Sequence, residues 1–264
     1  MPYQPPASRA ADARNLNSSL TQGVSAESGP AAGQTGRTVD CVGNDGLAGV
    51  ARIAYDDSRA RRYRKHHRKN IRVRLSTWRE RHLAAAALER LPSVRTILDL
   101  ATGTGRFWPV AEAHADYVIA MDNSLAMLKT AGLRQQELPS RVAADAFQLP
   151  LRDAAIDCVL CMRFLHHFYF PEDRMRILHE LRRVVRTGIV VSVWTDTRYG
   201  FLQAGKKRMN QQSRSSFPEG FGPRVCIPSD VLESEYRNSG FRMKGYEDFL
   251  AGRSMWRIYA LVAA

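Results

Sequence analysis

The chain has 264 residues and a net charge of +13, and its 44% hydrophobic and 25% charged residues are ordinary for a globular protein. This length gives room for one large α/β domain with extensions. No apolar run approaches the roughly 18 residues of a membrane span, and four scattered cysteines are too few for a disulfide scaffold. These totals exclude a transmembrane or disulfide-stapled fold and indicate a cytoplasmic protein, soluble or peripheral to a membrane.

The first 50 residues are rich in Ala, Ser, Gly, Pro, Gln and Asn and contain one aromatic residue, Tyr3. Such a segment buries too little surface to offset the entropy of ordering, so residues 1–50 are predicted to be a disordered tail without a secretory signal. Positive charge is concentrated next, since residues 51–95 carry fourteen Arg and Lys residues against four acidic ones. We therefore predict a basic, partly helical extension at 51–94 that attracts phosphate-bearing partners.

Within this extension, residues 59–81 contain eleven Arg or Lys residues in 23 positions. Apolar residues recur at spacings of three and four, as on one face of a helix at about 71–90, and they are Ile71, Leu75, Trp78, Leu88 and Leu91. We expect this face to pack on the main domain and the helix to end at Pro92. The arginine-rich remainder is either a docking surface for phosphates or a solvated face.

From residue 96 the predicted strands and helices alternate, which is typical of a parallel sheet covered by helices on both faces. Strands are predicted over 96–100, 117–121, 141–144, 156–162 and 188–194, and near 241–249 and 254–262. Helices are predicted at about 106–114, 124–132, 171–185 and 229–239. Residues 197–227 break this pattern, so we predict a variable insert or mobile lid there.

The first strand leads into the stretch T-I-L-D-L-A-T-G-T-G-R at 96–106. Small residues after the carboxyl end of a strand let the backbone approach a ligand. A dinucleotide fingerprint would need a third glycine where Trp108 stands, so NAD and FAD are disfavoured. The pattern D-x-A-x-G-x-G instead resembles motif I of the class I S-adenosylmethionine (SAM) methyltransferases, with Ala101 in place of the first glycine.

This resemblance covers about residues 95–264. It implies a Rossmann-like, doubly wound α/β sheet of seven strands, mostly parallel with an antiparallel last strand, and SAM as the cofactor. The segment from Arg174 to Val184 looks like the subfamily that resembles ubiquinone-biosynthesis methyltransferases, although strand five lacks the Pro-Gly-Gly often seen there.

The resemblance also implies which residues bind the cofactor. In this family one acidic residue lies near the amino-acid part of SAM, a second accepts hydrogen bonds from the ribose hydroxyls and a third contacts the adenine amino group. Asp99, Asp122 and Asp145 hold these places at the ends of three successive strands. The other residues implied to bind the cofactor are Ala101, Gly103, Gly105, Arg106, Asn123, Met127, Ala146 and Met162.

The segment M-R-F-L-H-H-F after strand four matches the part of the family that lines the methyl-transfer end. His166 and His167 are candidates for a general base, because unperturbed histidine titrates near neutrality, or they pack at the strand exit. Arg163 is predicted to bind an anionic substrate or the cofactor's carboxylate. No metal site is predicted, since Cys158 and Cys161 of the C-x-x-C motif point to opposite faces of a strand.

Three functions fit these features. Methyl transfer to an oxygen or carbon nucleophile of a small molecule or lipid is favoured by the compact domain and the aromatic insert, and a membrane-peripheral form would place the basic helix on anionic lipid. An RNA methyltransferase is favoured by the basic segment at 59–81 and by a local likeness to tRNA wobble-uridine methyltransferases. A non-catalytic SAM-binding module is the third, and the intact set of acidic residues argues against it.

Overall fold

The structure is a computed structural model that describes residues 60–62, 65, 70–131, 140–195, 225–250 and 255–264. The predicted tail at 1–50 and most of the predicted insert at 197–227 lie outside the described residues. Seven strands form one sheet: β1 (Thr96–Leu100), β2 (Tyr117–Asp122), β3 (Ser140–Ala143), β4 (Ile156–Cys161), β5 (Val185–Trp194), β6 (Phe241–Asp248) and β7 (Trp256–Ala263).

The strand order is β3-β2-β1-β4-β5-β7-β6. Strands β1 to β5 pair in parallel, and β7 runs antiparallel to both of its neighbours, β5 and β6. The predicted seven-stranded, mostly parallel Rossmann-like sheet is confirmed. The order reverses between β1 and β4, and in open α/β sheets ligands bind outside the carboxyl ends of the strands at such a point.

Helices cover both faces of the sheet: α1 (Ile71–Glu89), α2 (Trp108–His114), α3 (Leu125–Ala131), α4 (Pro171–Val184) and α5 (Ser229–Asn238). Ala260 of β7 packs in one core cluster with Leu88 of α1. The next side chain along the strand, Tyr259, points to the opposite face, where its ring meets Tyr236 of α5. None of the helices within the described residues is long and apolar enough to cross a lipid bilayer.

Strand β5 begins three residues earlier than predicted. Val185 follows α4 directly and pairs with Ile156 of β4. Arg186 then donates to the Asp157 carboxylate at 2.7 Å, and the same carboxylate accepts the Thr96 backbone N–H at 2.9 Å. These bonds tie three parallel strands together at the amino edge of the sheet, which extends β5 in that direction.

Helix α1 forms where it was predicted, but the prediction of which face is buried was wrong for its first half. The Asn70 side chain caps it by accepting hydrogen bonds from the backbone N–H groups of Arg72 and Val73. Ile71, Leu75 and Trp78, which were expected to pack inward, remain 69%, 62% and 58% exposed. The buried side chains are Glu80, Ala84, Ala87 and Leu88. The alanines let the helix approach the sheet closely, and Glu80 is drawn inward by two arginines described below.

Candidate active site at the carboxyl edge of the sheet

The loop after β1 turns through left-handed backbone conformations. The φ angle is 56° at Ala101, 57° at Gly103 and 71° at Gly105. A Cβ built on Gly103 would meet nothing within 4 Å, so the loop borders open space there, whereas a Cβ on Gly105 would lie 2.7 Å from the Trp108 ring. Backbone conformation therefore requires glycine at 103, and backbone and packing together require it at 105. Ala101 holds a conformation that is strained for an L residue.

The carboxylate near the end of β1 is enclosed beneath this loop. Asp99 is buried and accepts a hydrogen bond from the Thr102 hydroxyl, whose oxygen accepts one from the Trp108 indole N–H at 2.7 Å. Burial raises the pKa of Asp99 to about 7, a shift that the Thr102 hydrogen bond opposes and the nearby charge of Asp122 increases. A cation placed against Asp99 would favour its ionised form.

The carboxylate that ends β2 is engaged by two backbone N–H groups. Asp122 accepts the Gly103 N–H at 2.8 Å on Oδ2 and the Ser124 N–H at 2.9 Å on Oδ1, which joins the glycine loop to this strand end. Burial raises the pKa of Asp122, against these two bonds, which lower it. Each carboxylate oxygen has two lone pairs, so Asp122 can still accept hydrogen bonds from hydroxyl groups of a ligand.

The end of β3 lies directly beside the end of β2, because the Ala144 N–H donates to the Asp122 carbonyl at 3.1 Å. Asp145 is exposed at this point and accepts the Phe147 N–H at 3.0 Å, while Ala146 is buried. The three predicted acidic residues are therefore brought to adjacent strand ends along one edge of the sheet.

Two further predicted cofactor residues follow β2. Asn123 is exposed beside the edge, whereas Met127 is buried on α3. The Ser124 hydroxyl accepts the Met127 N–H at 3.3 Å and so caps the start of α3. Asn123 is thus exposed at the edge of the site, whereas Met127 is buried beneath it.

An aromatic cleft opens beside this edge, at the ends of β4, β5 and β7. Its apolar lining includes Met162, Trp194, Phe249, Trp256 and Ile258, and its polar lining includes Glu80, Arg163 and His166. The rings of Trp194 and Trp256 are stacked with centroids 6.4 Å apart, so one wall of the cleft is a continuous aromatic surface. The lining is therefore apolar and aromatic, and the space that it encloses is small, about 10 Å³.

Arg163 lies against this wall in a strained conformation. Its φ angle is 61°, and its backbone N–H donates to the Ser192 hydroxyl at 2.7 Å. The guanidinium lies 4.0 Å from the centre of the Trp256 ring, a cation–π contact. Left-handed backbone at a non-glycine residue is often found at functional sites, and here it directs a cation into the cleft.

The two predicted catalytic histidines differ in position. The His166 ring is stacked on Trp194, with centroids 5.2 Å apart and planes 4° apart, and it lines the cleft. The His167 ring leans against His166 with centroids 4.5 Å apart. The segment that follows is held by the buried Arg174 guanidinium, which donates to the carbonyls of Phe168 and Tyr169, each at 2.9 Å.

Sequence reasoning missed Glu80, which α1 contributes to the cleft. This side chain is buried, its Oε2 accepts the Arg106 Nη2–H at 3.0 Å, and its Oε1 lies 3.6 Å from Arg163 Nη1. One carboxylate thus holds together two cations that were predicted separately as cofactor and substrate residues. The sequence does show an acidic residue between two arginines at this position. It was overlooked because Trp78 was predicted to lie on the buried face, and Glu80 lies on the opposite side of the helix.

A model of the family described as a methyltransferase domain matches residues 98–192, from β1 to β5. The chain is 33% identical over 112 residues to the tRNA (carboxymethyluridine(34)-5-O)-methyltransferase of Arabidopsis thaliana, which covers 42% of this chain and 26% of that protein. It is 35% identical over 127 residues to the demethylmenaquinone methyltransferase of Renibacterium salmoninarum, which covers 47% of this chain and 51% of that protein. The chain therefore spans about a quarter and about half of the lengths of these relatives.

Among solved structures, the magnesium protoporphyrin IX methyltransferase of Synechocystis with bound SAH aligns with a TM-score of 0.59 at 17% identity, over 77% of this chain and 94% of that chain. This match confirms the fold. Within residues 98–192, the family match bears out the predicted class I SAM-dependent methyltransferase domain and SAM as its cofactor.

Proposed function

We propose that the class I SAM-dependent methyltransferase domain of this chain transfers a methyl group to an oxygen or carbon nucleophile of a small, ring-bearing molecule or lipid. The observation that carries this proposal is the aromatic cleft, which opens beside the strand ends where the cofactor is expected. Its apolar, aromatic lining favours an apolar acceptor, for which the small enclosed space would have to widen. The demethylmenaquinone methyltransferase relative, which by its name acts on a quinone, is consistent with such an acceptor.

We infer that the acidic strand ends hold the cofactor as the family resemblance implies. Asp99 would face the cationic amino group, Asp122 the ribose hydroxyls and Asp145 the adenine. The observations that fit this assignment are the open space at Gly103 and the remaining lone pairs of Asp122. Arg106, held by Glu80, is suited to the cofactor's carboxylate.

When bound, SAM supplies an electrophilic methyl group on a sulfonium. The protein has to align the acceptor with that group and exclude water, and such positioning supplies up to roughly 7–11 kcal/mol in well-oriented reactions. The apolar lining of the cleft excludes water, and Arg163 stabilises negative charge on the acceptor. The proton of a phenol or enol acceptor passes to His166 as its oxygen or carbon forms the new bond.

The His166→Ala variant is expected to lower kcat by about 10²–10⁴-fold, the usual contribution of a general base, and to leave SAH affinity unchanged. His167→Ala is expected to have a smaller effect on kcat, since His167 contacts His166 but does not itself line the cleft. Steady-state kinetics with calorimetric titration of SAH would check both. The exposed His179 on α4 provides a control, because His179→Ala removes an imidazole far from the chemistry. Full turnover in both His166→Ala and His167→Ala would remove the acid–base role.

The substrate class is tested by incubating the protein with methyl-labelled SAM and, in separate reactions, demethylmenaquinone in reduced form, bulk tRNA and fractions of a cell extract. We expect label in the organic phase. Label in RNA alone would overturn the small-molecule proposal in favour of the second candidate. SAH binding without label in any fraction would instead indicate a non-catalytic SAM-binding module.

A tRNA methyltransferase is the second candidate, and a specific observation favours it. The Arabidopsis relative acts on a modified uridine of tRNA by its name, and residues 51–95 are strongly basic. Binding through many phosphate contacts falls steeply with salt, so tRNA affinity measured across a salt series would reveal this mode. A lipid-soluble acceptor in the cleft would show little of that dependence.

A further inference from the structure

The outward face of α1 carries an apolar stripe formed by Ile71, Leu75 and Trp78. These side chains are the most exposed large hydrophobic residues on this helix, at 69%, 62% and 58%. At 3.6 residues per turn they lie within about 60° of one another, so they form one line along the helix. The exposed His82 continues this line, with its ring centroid 4.2 Å from that of Trp78.

Arginines flank the stripe on both sides. Arg72 and Arg74 are exposed, one on each side of the line that Ile71 and Leu75 define. Arg79 and Arg81, each about two turns further on, bend inward instead and donate to the carbonyls of Phe249 and Arg106. The first half of α1 therefore presents apolar side chains between outward cations, while its second pair of arginines fixes the helix to the domain.

The opposite face of the same helix belongs to the active site. Glu80 lies about 180° around the helix from Ile71 and points into the aromatic cleft. An α-helix with its side chains is about 10–12 Å across, so the cleft lies about one helix diameter from the stripe. Molecules held in a surface that covers the stripe would thus lie close to the cleft.

We propose that this face of α1 docks on an anionic lipid bilayer, with Ile71, Leu75 and Trp78 in the interface and Arg72 and Arg74 at the headgroups. Interfacial helices bind in the plane of a membrane through an exposed apolar face with basic side chains beside it, and tryptophan is enriched at that depth. Nucleic acid would use the arginines but would leave the aliphatic side chains of Ile71 and Leu75 without a partner. This inference does not depend on the proposed methyl-transfer function, because its readout is binding.

The experiment is co-sedimentation of the full chain with vesicles of phosphatidylcholine and phosphatidylserine, compared with vesicles of phosphatidylcholine alone. We expect binding to the anionic vesicles only, weakened by added salt. The Arg72→Gln/Arg74→Gln variant is expected to bind about 30-fold more weakly, which corresponds to about fivefold for each arginine near an anionic surface. The Leu75→Gln/Trp78→Gln variant is expected to lose binding, because it removes the apolar insertion.

Matched controls come from exposed residues elsewhere on the domain. Val231→Gln replaces an exposed apolar side chain on α5, and Arg152→Gln/Arg237→Gln removes two exposed cations. These variants should bind as the wild type does, and SAH titration would confirm that every variant is folded. The proposal is overturned by wild-type protein that ignores anionic vesicles, or by stripe variants that still bind them. It is also overturned if the stripe variants change only the affinity for tRNA, which would indicate an RNA-binding face. A change only in the molar mass measured by light scattering would indicate self-association and would overturn it as well.

Discussion

The Asp99→Asn variant is expected to be more stable than the wild type at pH 8 in the absence of cofactor, and to bind SAH far more weakly. Burial raises the pKa of Asp99 to about 7, whereas in the unfolded chain it returns to its ordinary value of about 3.9. Between these values the folded protein retains a proton that the unfolded chain has released. The contribution of Asp99 to stability therefore falls as pH rises from about 4 to about 7, and it stays lost above that.

The difference in free energy of unfolding between variant and wild type should grow over this pH window to about 4 kcal/mol. Asparagine keeps an acceptor for the Thr102 hydroxyl, so the local hydrogen bond survives. Urea unfolding of both proteins across the pH series would measure the difference. Asp116→Asn, at an exposed ion pair with Arg95, is the control and should show no such growth. A wild type and an Asp99→Asn variant that respond identically to pH would contradict the burial argument.

Cofactor affinity should show the opposite pH dependence at the same carboxylate. If Asp99 meets the ammonium of SAH, binding requires its ionised form, so wild-type affinity rises by up to about tenfold per pH unit below 7 and levels off above it. Hydrogen bonds to charged groups contribute about 1.5–3 kcal/mol, so Asp99→Asn should weaken SAH binding by roughly 10–150-fold. Calorimetry in buffers of different ionisation enthalpy would detect the released proton. Equal affinity for both proteins would place the amino group elsewhere.

The Glu80→Gln variant is the second change with a large expected effect. It leaves the buried Arg106 guanidinium without its charged partner, 3.0 Å away, and also removes the charge beside Arg163. Breaking a buried pair by removing one partner costs about 3–5 kcal/mol, which we expect as the loss in free energy of unfolding. We also expect weaker SAH binding, because Arg106 is no longer held beside the glycine loop.

Thermal or urea unfolding would measure the stability change in Glu80→Gln. Glu247→Gln is the matched control, because Glu247 pairs with Arg90 on a more exposed part of the same helix–sheet junction. An exposed pair is worth about 0–1 kcal/mol, so this control should be nearly neutral. Similar losses in both variants would show that the buried position of Glu80 gives its ion pair no special weight.

Local sequence patterns were sufficient for the sheet and for the residues at its carboxyl edge. The first three strands are each predicted by an apolar run with an acidic residue at its carboxyl end, and the parallel pairing then brings these strand ends together. That is why Asp99, Asp122 and Asp145 could be placed at neighbouring strand ends from the sequence, while their contacts with the cofactor remain a prediction. The start of β5 was predicted less well. Residues 185–187 contain no apolar run that predicts a strand, and they belong to β5 because Val185 pairs with Ile156 and Arg186 donates to Asp157.

The face of α1 could not be predicted because two opposing rules apply to it. Apolar periodicity favours burying Ile71, Leu75 and Trp78, whereas the observed packing buries Glu80 and small alanines. Long-range charge decided the outcome: the partner of Glu80, Arg106, lies 26 positions further along the chain. No local pattern shows such a contact, so neither the cleft's acidic wall nor its link to Arg163 could be derived from residue spacing.

The cleft is assembled from three separated parts of the chain. Its polar wall receives Glu80 from before β1, and its aromatic wall receives Phe249 and Trp256 from the last hairpin. Both contributions lie outside residues 98–192, the region that the methyltransferase family has in common. Under the proposed function, the matched segment would hold the cofactor and supply Arg163 and His166 to the cleft, while the flanking segments would contribute to the choice of acceptor. Substitutions in these flanks would then change the wall that faces the acceptor while leaving the acidic strand ends of the matched segment unchanged.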